Sequence, residues 1–365
     1  MKILGISLDS SILNKESIPA QRIIKFGQFL DKYYLLVPAK RNQCSQLANN
    51  IYTEALTASS KFFLFFRMYK RIKKILQKEK FDLLTTQDAY FLSLIMIYLS
   101  RKNKTRFEVQ IHGFEKFNGL RKILANYSLK QADIIRTVSI KSKKYLVENF
   151  SIPTAKIYVA PVFVDRQKIE DSENKFSLRE IYKDKFIFLT VGRLVPVKNI
   201  ALQIKAIKKL NLNKVKLIIV GEGPEKENLK ALVKQENLQD SIIFVNEYIN
   251  NLPDYYKSSD CLLITSDMEG YCMVVAEAVL ADLTVIMTDV GCAGDLVEDK
   301  VNGFLIPINN LDILVDRMRR VVEDRKLLLE FQAKNESYKQ KILDQQALSD
   351  IILNTWQTVI YKHEK

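Results

Sequence analysis

The segment SDMEGYCMVVAEAVLADLTVIMTDVG (266–291) holds residues suited to chemistry by type and spacing. Its pattern predicts a strand ending near Ser266, a loop carrying Glu269 and Gly270, and a helix from about Cys272 that carries Glu277. In an open α/β sheet, the loop after a strand and the N-terminus of the next helix form the ligand face. Gly270 lets the amides of this loop, through Tyr271, Cys272 and Met273, come close to a phosphate, whose charge the helix dipole favours. Glu269 can accept hydrogen bonds from sugar hydroxyls, and Glu277, about one and a half turns into the helix, can reach a ribose. Two acids eight residues apart are common in any chain; their place at a strand-to-helix loop gives this pair weight.

A second strand-to-helix turn is VGRLVPVKN (191–199), with Arg193 and Lys198 on the same face. A guanidinium fork and a compact ammonium there suit a diphosphate and would neutralise its charge as it leaves. In QIHGFE (110–115), His112 stands at the tip of a strand; the second of the two histidines, His363, lies in the tail. A lone histidine is more often structural, but a His-Gly at a strand tip facing a cleft points to function.

These residues need a scaffold of alternating strands and helices. Short β-rich runs at 2–7, 33–38, 81–86, 106–111, 133–139 and 157–161 alternate with helical stretches at 20–31, 61–79, 89–101, 118–130 and 140–149. The second half repeats the plan, with strands at 186–192, 215–221, 241–246, 261–266, 283–289 and 303–307 and helices at 199–210, 224–236, 252–258, 273–281 and 311–323. Ser139 reads as a helix N-cap. The polar stretch 166–184 suits a linker, and 326–362 reads as helical, with Trp356 and Ile360 on one side. The expected fold class is α/β: two Rossmann-like, doubly wound parallel-sheet domains facing a central cleft. The first spans 1–165 and the second 185–345, with 346–365 a helix packing back across the junction.

The 365 residues are too many for one ordinary domain, and 47% hydrophobic with 27% charged excludes a disordered or collagenous chain. The longest strongly apolar run, around Tyr90 to Leu99, is shorter than the roughly 20 residues of a membrane span. The N-terminus turns polar at Asp9 and so lacks a signal-peptide core. Cys44, Cys261, Cys272 and Cys292 show no CxxC spacing, so neither a disulfide framework nor a zinc site is indicated. The charge is uneven. Residues 1–170 hold 30 Lys and Arg against 13 Asp and Glu, whereas 171–365 hold 26 against 29. The basic half is expected to face something anionic.

Together the motifs resemble the donor-binding half of the retaining GT-B glycosyltransferases of family 4. The Glu-x7-Glu motif stands as Glu269-GYCMVVA-Glu277, the G-R-L segment as GRLVPVKN, the V-G-x-G-P as Val220-Gly-Glu-Gly-Pro224, and the N-G-x-L-x-P as Asn302-GFLI-Pro307. The resemblance is dense over 185–310 and looser before it. It implies transfer of a sugar from a nucleotide-diphosphate donor with retention. Arg193, Lys198 and the amides of Gly270, Tyr271, Cys272 and Met273 would take the diphosphate, Glu277 the ribose, and Glu269 and His112 the reacting sugar. The chain has no Asp-x-Asp, so metal-independent transfer without a cofactor is expected. Departures are also visible. Loop 8–17 has no glycine where the family often has a Gly-Gly, Val162 and Phe163 replace the Asn and Gly of a P-N-G-V-D, Asn246 replaces a glycine, and Asp295 a more usual Glu. Glu115 and Ser10 are the acceptor-side candidates.

The segment KFFLFFRMYKRIKKILQKEK (61–80) carries eight basic residues and one acid. On a helical wheel Phe65, Met68, Tyr69, Ile72 and Leu76 share one face, with Arg67, Lys70, Arg71, Lys74 and Lys78 opposite; Arg67, Lys70, Arg71, Lys73 and Lys74 are the candidates for a membrane surface. An ordinary sheet-covering helix and an interfacial helix on anionic lipid both fit; Phe62, Phe63 and Phe66 favour the second. The expected partners are a nucleotide sugar, a glycan or lipid-linked acceptor and an anionic membrane surface, with no nucleic acid. The expected setting is cytoplasmic, at the inner face of the plasma membrane. The rivals are a GT-B nucleotide-sugar epimerase and a non-catalytic basic protein binding membrane or nucleic acid. A dehydrogenase is disfavoured, because Gly221-Glu-Gly223 is only a weak echo of G-x-G-x-x-G.

Overall fold

The computed structural model describes residues 1–113, 117–172, 177–245 and 252–361, and divides into two compact units. Unit 1 comprises Met1–Pro161 and the chain from Gln345, and unit 2 comprises Val162–Asp344.

Unit 1 begins with β1 (Lys2–Ile6), α1 (Ile18–Gly27) and β2 (Lys32–Pro38), followed by β3 (Gln43–Ala48) and β4 (Ile51–Leu56). Then come α2 (Lys61–Lys78), β5 (Leu83–Thr86), α3 (Phe91–Asn103) and β6 (Arg106–Ile111). It continues with α4 (Gly119–Gln131), β7 (Ile134–Thr137), α5 (Ile140–Phe150) and β8 (Ile157–Val159). Its sheet runs β3-β4-β2-β1-β5-β6-β7-β8 and is parallel except for the β3–β4 pair. Strands buried on both sides by helices read as continuous apolar runs, which is why β1 and β2 are visible in the sequence.

The β3–β4 hairpin is not anticipated by the sequence, and it makes this sheet mixed rather than wholly parallel. Its reason is tertiary. β3 is a polar edge strand, and β4 holds the buried carboxylate Glu54, which spoils an apolar run and is tolerated because Arg71 of α2 pairs with it at 2.6 Å. Ser139 does cap α5, its hydroxyl accepting from the Ser142 amide at 3.2 Å.

Unit 2 holds α6 (Arg166–Glu170), α7 (Leu178–Ile181), β9 (Phe186–Val191), α8 (Ile200–Leu210), β10 (Val215–Val220) and α9 (Lys226–Gln235). It continues with β11 (Ile242–Val245), α10 (Leu252–Lys257), β12 (Cys261–Ile264) and α11 (Met273–Leu280). β13 (Thr284–Thr288), β14 (Gly303–Ile306), α12 (Leu311–Glu323) and α13 (Arg325–Lys339) complete it. Its sheet runs β11-β10-β9-β12-β13-β14, every pair parallel. Within the stretch 166–184, Arg166 donates to the Lys339 carbonyl at 2.6 Å and Lys257 to the Glu170 carbonyl at 2.9 Å, both inside unit 2. The final helical stretch breaks at 340–344; α14 (Gln345–Tyr361) groups with unit 1. Among the described residues no helix is long and apolar enough to cross a membrane.

Candidate functional site

In unit 2 the strand order places β9 between β10 and β12, so the loops leaving these three strands share one edge. The loop after β9 and the one after β10 are joined by backbone bonds. Gly192 N donates to the Val220 carbonyl at 3.0 Å, Leu194 N to Glu222 at 2.8 Å, and Glu225 N back to Leu194 at 3.0 Å. The approach is so close that a Cβ on Gly221, where φ is +152°, would stand 1.9 Å from the Gly192 carbonyl oxygen. Gly221 and Gly223 therefore serve loop packing, which accounts for the echo of a dinucleotide fingerprint.

The loop after β9 is also fixed to the loop after β12. Asp267 N donates to the Val197 carbonyl at 2.8 Å, and the Thr265 hydroxyl to the Lys198 and Asn199 carbonyls at 3.1 and 3.0 Å. This brings Lys198 to Glu269, with Nζ 2.5 Å from Oε1, while the Ser266 hydroxyl donates to the same oxygen at 2.6 Å. The Glu269 residue is buried, 8% exposed, and Lys198 is half-buried. The two cations differ: Lys198 holds the carboxylate, whereas Arg193 is exposed in the turn and makes no ion pair among the described residues.

Gly270, Tyr271 and Cys272 are buried between β12 and α11, whose first residue is Met273. Cys272 adopts a left-handed conformation, φ +74°, uncommon for a side chain and found at tight functional turns. Burial pushes the Cys272 thiol and the Tyr271 phenol up, so both are neutral near pH 7. A third loop supports this one. Cys292 N donates to the Tyr271 carbonyl at 3.0 Å, and a Cβ on Gly291 would meet that carbonyl at 2.8 Å and Glu269 Cβ at 3.0 Å. Glu277, on α11, accepts from the hydroxyl of fully buried Tyr256 at 2.7 Å. Ser266, Tyr256 and Gly291 were not singled out from sequence; Ser266, three residues before Glu269 at a strand end, left the clearest signal.

In unit 1, β1, β5 and β6 are in register, Ile6 with Thr86 and Thr86 with Val109, so the residues that follow them share an edge. His112 follows β6 and is exposed. Its pKa is lowered to about 4: protein packed around the site desolvates the ring although its own surface is open, the Arg136 guanidinium lowers it further, and Glu108 opposes. The glycine-free loop forms a 3-10 turn at Ser10–Leu13, and Gln87 ties its start by accepting from Ser7 Oγ and Leu8 N, each at 2.9 Å. Ser10 is exposed; the Asp9 carboxylate bonds Ser11 instead. Glu115 and Asn246 lie outside the described residues, as does His363.

Sequence reading did not single out Glu108, a fully buried carboxylate on β6, four residues before His112. It accepts from Thr85, from Gln110 at 3.1 Å, from Tyr158, and from Trp356 Nε1 of α14 at 2.9 Å, with Arg136 Nε 3.6 Å away. A buried charge survives when its oxygens are this fully engaged.

The basic helix α2 needs a correction. Arg71 does not face out: its Nε lies 2.6 and 2.7 Å from the two Glu54 oxygens, and Nη2 donates to the Tyr34 hydroxyl at 3.0 Å. Burial alone would raise Glu54; the bonds from Arg71 and Tyr34 hold its carboxyl below its ordinary value. Arg67 folds back onto the Thr57 carbonyl and, at 3.2 Å, onto Asn42. The Arg71 guanidinium is drawn to the buried Glu54 carboxylate, which a helical wheel does not show. Lys70 and Lys74 remain exposed, Lys73 is half-buried, and Phe62, Phe63 and Phe66 form an exposed ring cluster, Phe62 and Phe66 4.7 Å apart.

Comparison with known proteins identifies the family. Residues 41–168 match the family model for Glycosyltransferase Family 4, and residues 171–339 that for Glycosyl transferases group 1. Over 235 residues the chain is 32% identical to the Campylobacter jejuni N-acetylgalactosamine-N,N'-diacetylbacillosaminyl-diphospho-undecaprenol 4-alpha-N-acetylgalactosaminyltransferase, 62% of each chain. Over 270 residues it is 27% identical to the Escherichia coli UDP-Gal:alpha-D-GlcNAc-diphosphoundecaprenol alpha-1,3-galactosyltransferase, 70% of each. The match thus spans somewhat under two thirds of the Campylobacter relative's length. The crystal structure of Anabaena HepE in complex with UDP superposes with a TM-score of 0.79 at 17% identity, covering 98% of this chain and all of that one. At that identity the likeness speaks for the fold, two Rossmann-like units of the GT-B kind. Two adjoining family matches, the E-x7-E and G-R-L motifs in their loops, and that fold place the chain among the family 4 (group 1) glycosyltransferases of GT-B architecture.

Proposed function

We propose that this protein transfers a sugar, with retention of configuration, from a nucleoside-diphosphate sugar to a lipid-linked or polymeric glycan acceptor. The observation that carries this reading is the Lys198–Glu269 pair at 2.5 Å, held at the joined loop edge of unit 2, with Arg193 exposed in the same strand-to-helix turn as Lys198. In this account the bond from the sugar's anomeric carbon to the diphosphate breaks, and the acceptor hydroxyl oxygen bonds to that carbon on the same face. Its proton passes to the departing diphosphate. Arg193, Lys198 and the amides of Gly270, Tyr271, Cys272 and Met273 stabilise the leaving charge. Glu269 and neutral His112 orient the sugar, and Glu277 takes the ribose. Charge neutralisation by these cations needs no metal ion. UDP is the first nucleotide to try, because the E. coli relative is named for UDP-Gal and the Anabaena neighbour holds UDP.

The acceptor class is supported by the two relatives named for diphospho-undecaprenol substrates. Exposed Lys70 and Lys74 with the Phe62–Phe63–Phe66 cluster would dock unit 1 on the inner face of an anionic membrane. The test is nucleoside-diphosphate release from UDP-sugars in the presence of an undecaprenyl-diphosphate-linked sugar. Glu269→Gln and Lys198→Ala should each lower turnover at least 100-fold in protein that remains folded, with some loss of melting temperature in Lys198→Ala because it leaves the buried Glu269 carboxylate unpaired. Rates near that of the parent protein in either variant would remove the assignment.

A further inference from the structure

Helices α2, α3 and α4 pack side by side in unit 1. Together they contain twelve Lys or Arg and not one Asp or Glu. α4 turns Ala125, Ser128 and Leu129 inward, yet it also presents Leu120, Ile123 and Tyr127 outward, with Ile123 67% exposed. A sheet-covering helix in water ordinarily shows a polar face there. Between α3 and α4 runs a groove of about 550 Å³ lined by Leu94, Ile97, Tyr98, Arg101, Lys102 and Tyr127. Its lining is two tyrosines, two aliphatic side chains and two cations, the cations standing in the last turn of α3. Tyr69 packs on the Tyr98 ring, centroids 6.0 Å apart, and Arg101 is steadied by Gln131 at the end of α4.

We infer that this groove binds one anionic membrane phospholipid, its phosphate at Arg101 and Lys102 and the start of its chain along Leu94 and Ile97 between Tyr98 and Tyr127. A sugar or nucleotide would need more hydrogen-bonding partners than two phenols and two cations offer. An acidic lipid matches each part: an apolar slot, aromatic side chains with a polar tip at the water boundary, and a guanidinium fork for phosphate. The neighbouring groove between α4 and α5, which carries Lys122 and Lys130, adds to the local positive potential. The site is separate from the sugar-transfer edge. α3 leaves β5 at that edge and runs back for 13 residues, about 20 Å, so Arg101 and Lys102 stand at the opposite edge of the sheet from His112. The lipid is therefore an anchor and not the acceptor.

This inference rests on the membrane-docking part of the proposed function, and two assays separate them. Dihexanoyl-phosphatidylglycerol, kept below its micellar concentration, is titrated calorimetrically into the full-length protein, and flotation is measured with vesicles of phosphatidylcholine and phosphatidylglycerol. One saturable site for the soluble lipid is expected, weakened at least tenfold in Arg101→Gln/Lys102→Gln and, independently, in Tyr98→Ala/Tyr127→Ala. Lys70→Glu/Lys74→Glu should reduce flotation and leave the soluble lipid's affinity unchanged. No saturable binding, or equal binding in both groove variants, overturns the groove while flotation of the parent protein still supports docking. Failure of the parent protein to float overturns docking, and with it the anchor.

Discussion

Lys198 Nζ and Glu269 Oε1 are 2.5 Å apart although 71 residues separate them in the chain, and Ser266 donates to the same carboxylate oxygen. The pair makes the two residues energetically dependent. Removing either carboxylate or ammonium frees the other to move, so their substitutions are expected to be non-additive. The double variant Glu269→Gln/Lys198→Ala should be no slower than the worse single variant by more than a few-fold. Multiplication of the two single losses in a double-mutant cycle would show that the residues act separately.

Gly291 tests the support of that loop. A methyl there would meet the Tyr271 carbonyl and Glu269 Cβ on a backbone at φ +58°. Gly291→Ala should therefore cost about 1–3 kcal/mol of stability and weaken nucleotide binding together, as read by thermal melts with and without UDP. An unchanged melt would mean that the loops are not packed as described.

The ionisation of His112 has a stated sign. With its pKa lowered to about 4 in the folded protein and near 6.5 in the unfolded chain, the unfolded state binds more protons between those values. Its contribution to stability is complete above about 6.5 and is lost as pH falls toward 4. NMR titration of the histidine ring protons, assigned with His112→Asn, should place its midpoint below 5. A midpoint above about 7 would contradict the neutral imidazole used in the proposed mechanism.

The Glu108 network predicts that α14 stabilises unit 1 through one donor as well as through packing. Trp356→Phe keeps most of the ring volume but removes the indole N–H that Glu108 accepts at 2.9 Å. The expected loss is about 1–3 kcal/mol in urea unfolding. No loss would show that the carboxylate is satisfied without the helix.

The two kinds of cation on α2 separate in the same way. Arg71→Ala leaves Glu54 buried without its partner and should cost about 1–3 kcal/mol. Lys74→Ala, at an exposed site, should change stability by less than about 0.5 kcal/mol. Equal effects in chemical denaturation would contradict the inward orientation of Arg71.

These contrasts show which parts of the protein were legible in its sequence. The Glu269–Glu277 and Arg193–Lys198 segments were, because a strand, a tight loop and a helix start are local features with local signals. The parallel strands were too, since burial on both faces writes an apolar run. Ser266, Tyr256 and Gly291 were not, because their roles arise from loops of different strands meeting. Glu54 with Arg71 and Glu108 with Trp356 were hidden for the same reason: the partners lie 17 and 248 residues apart, and a carboxylate inside a strand looks like a mark against that strand.

The central claim is that the joined loops of unit 2 bind a nucleoside diphosphate through Lys198 and Arg193. Its most direct test is calorimetric titration of UDP, with GDP, ADP and CMP alongside and with and without EDTA, into the parent protein and Lys198→Ala. One nucleoside diphosphate should bind at a single site, unaffected by EDTA, and at least tenfold more weakly to the variant. Binding of none of them, or equal binding to Lys198→Ala, would contradict the account.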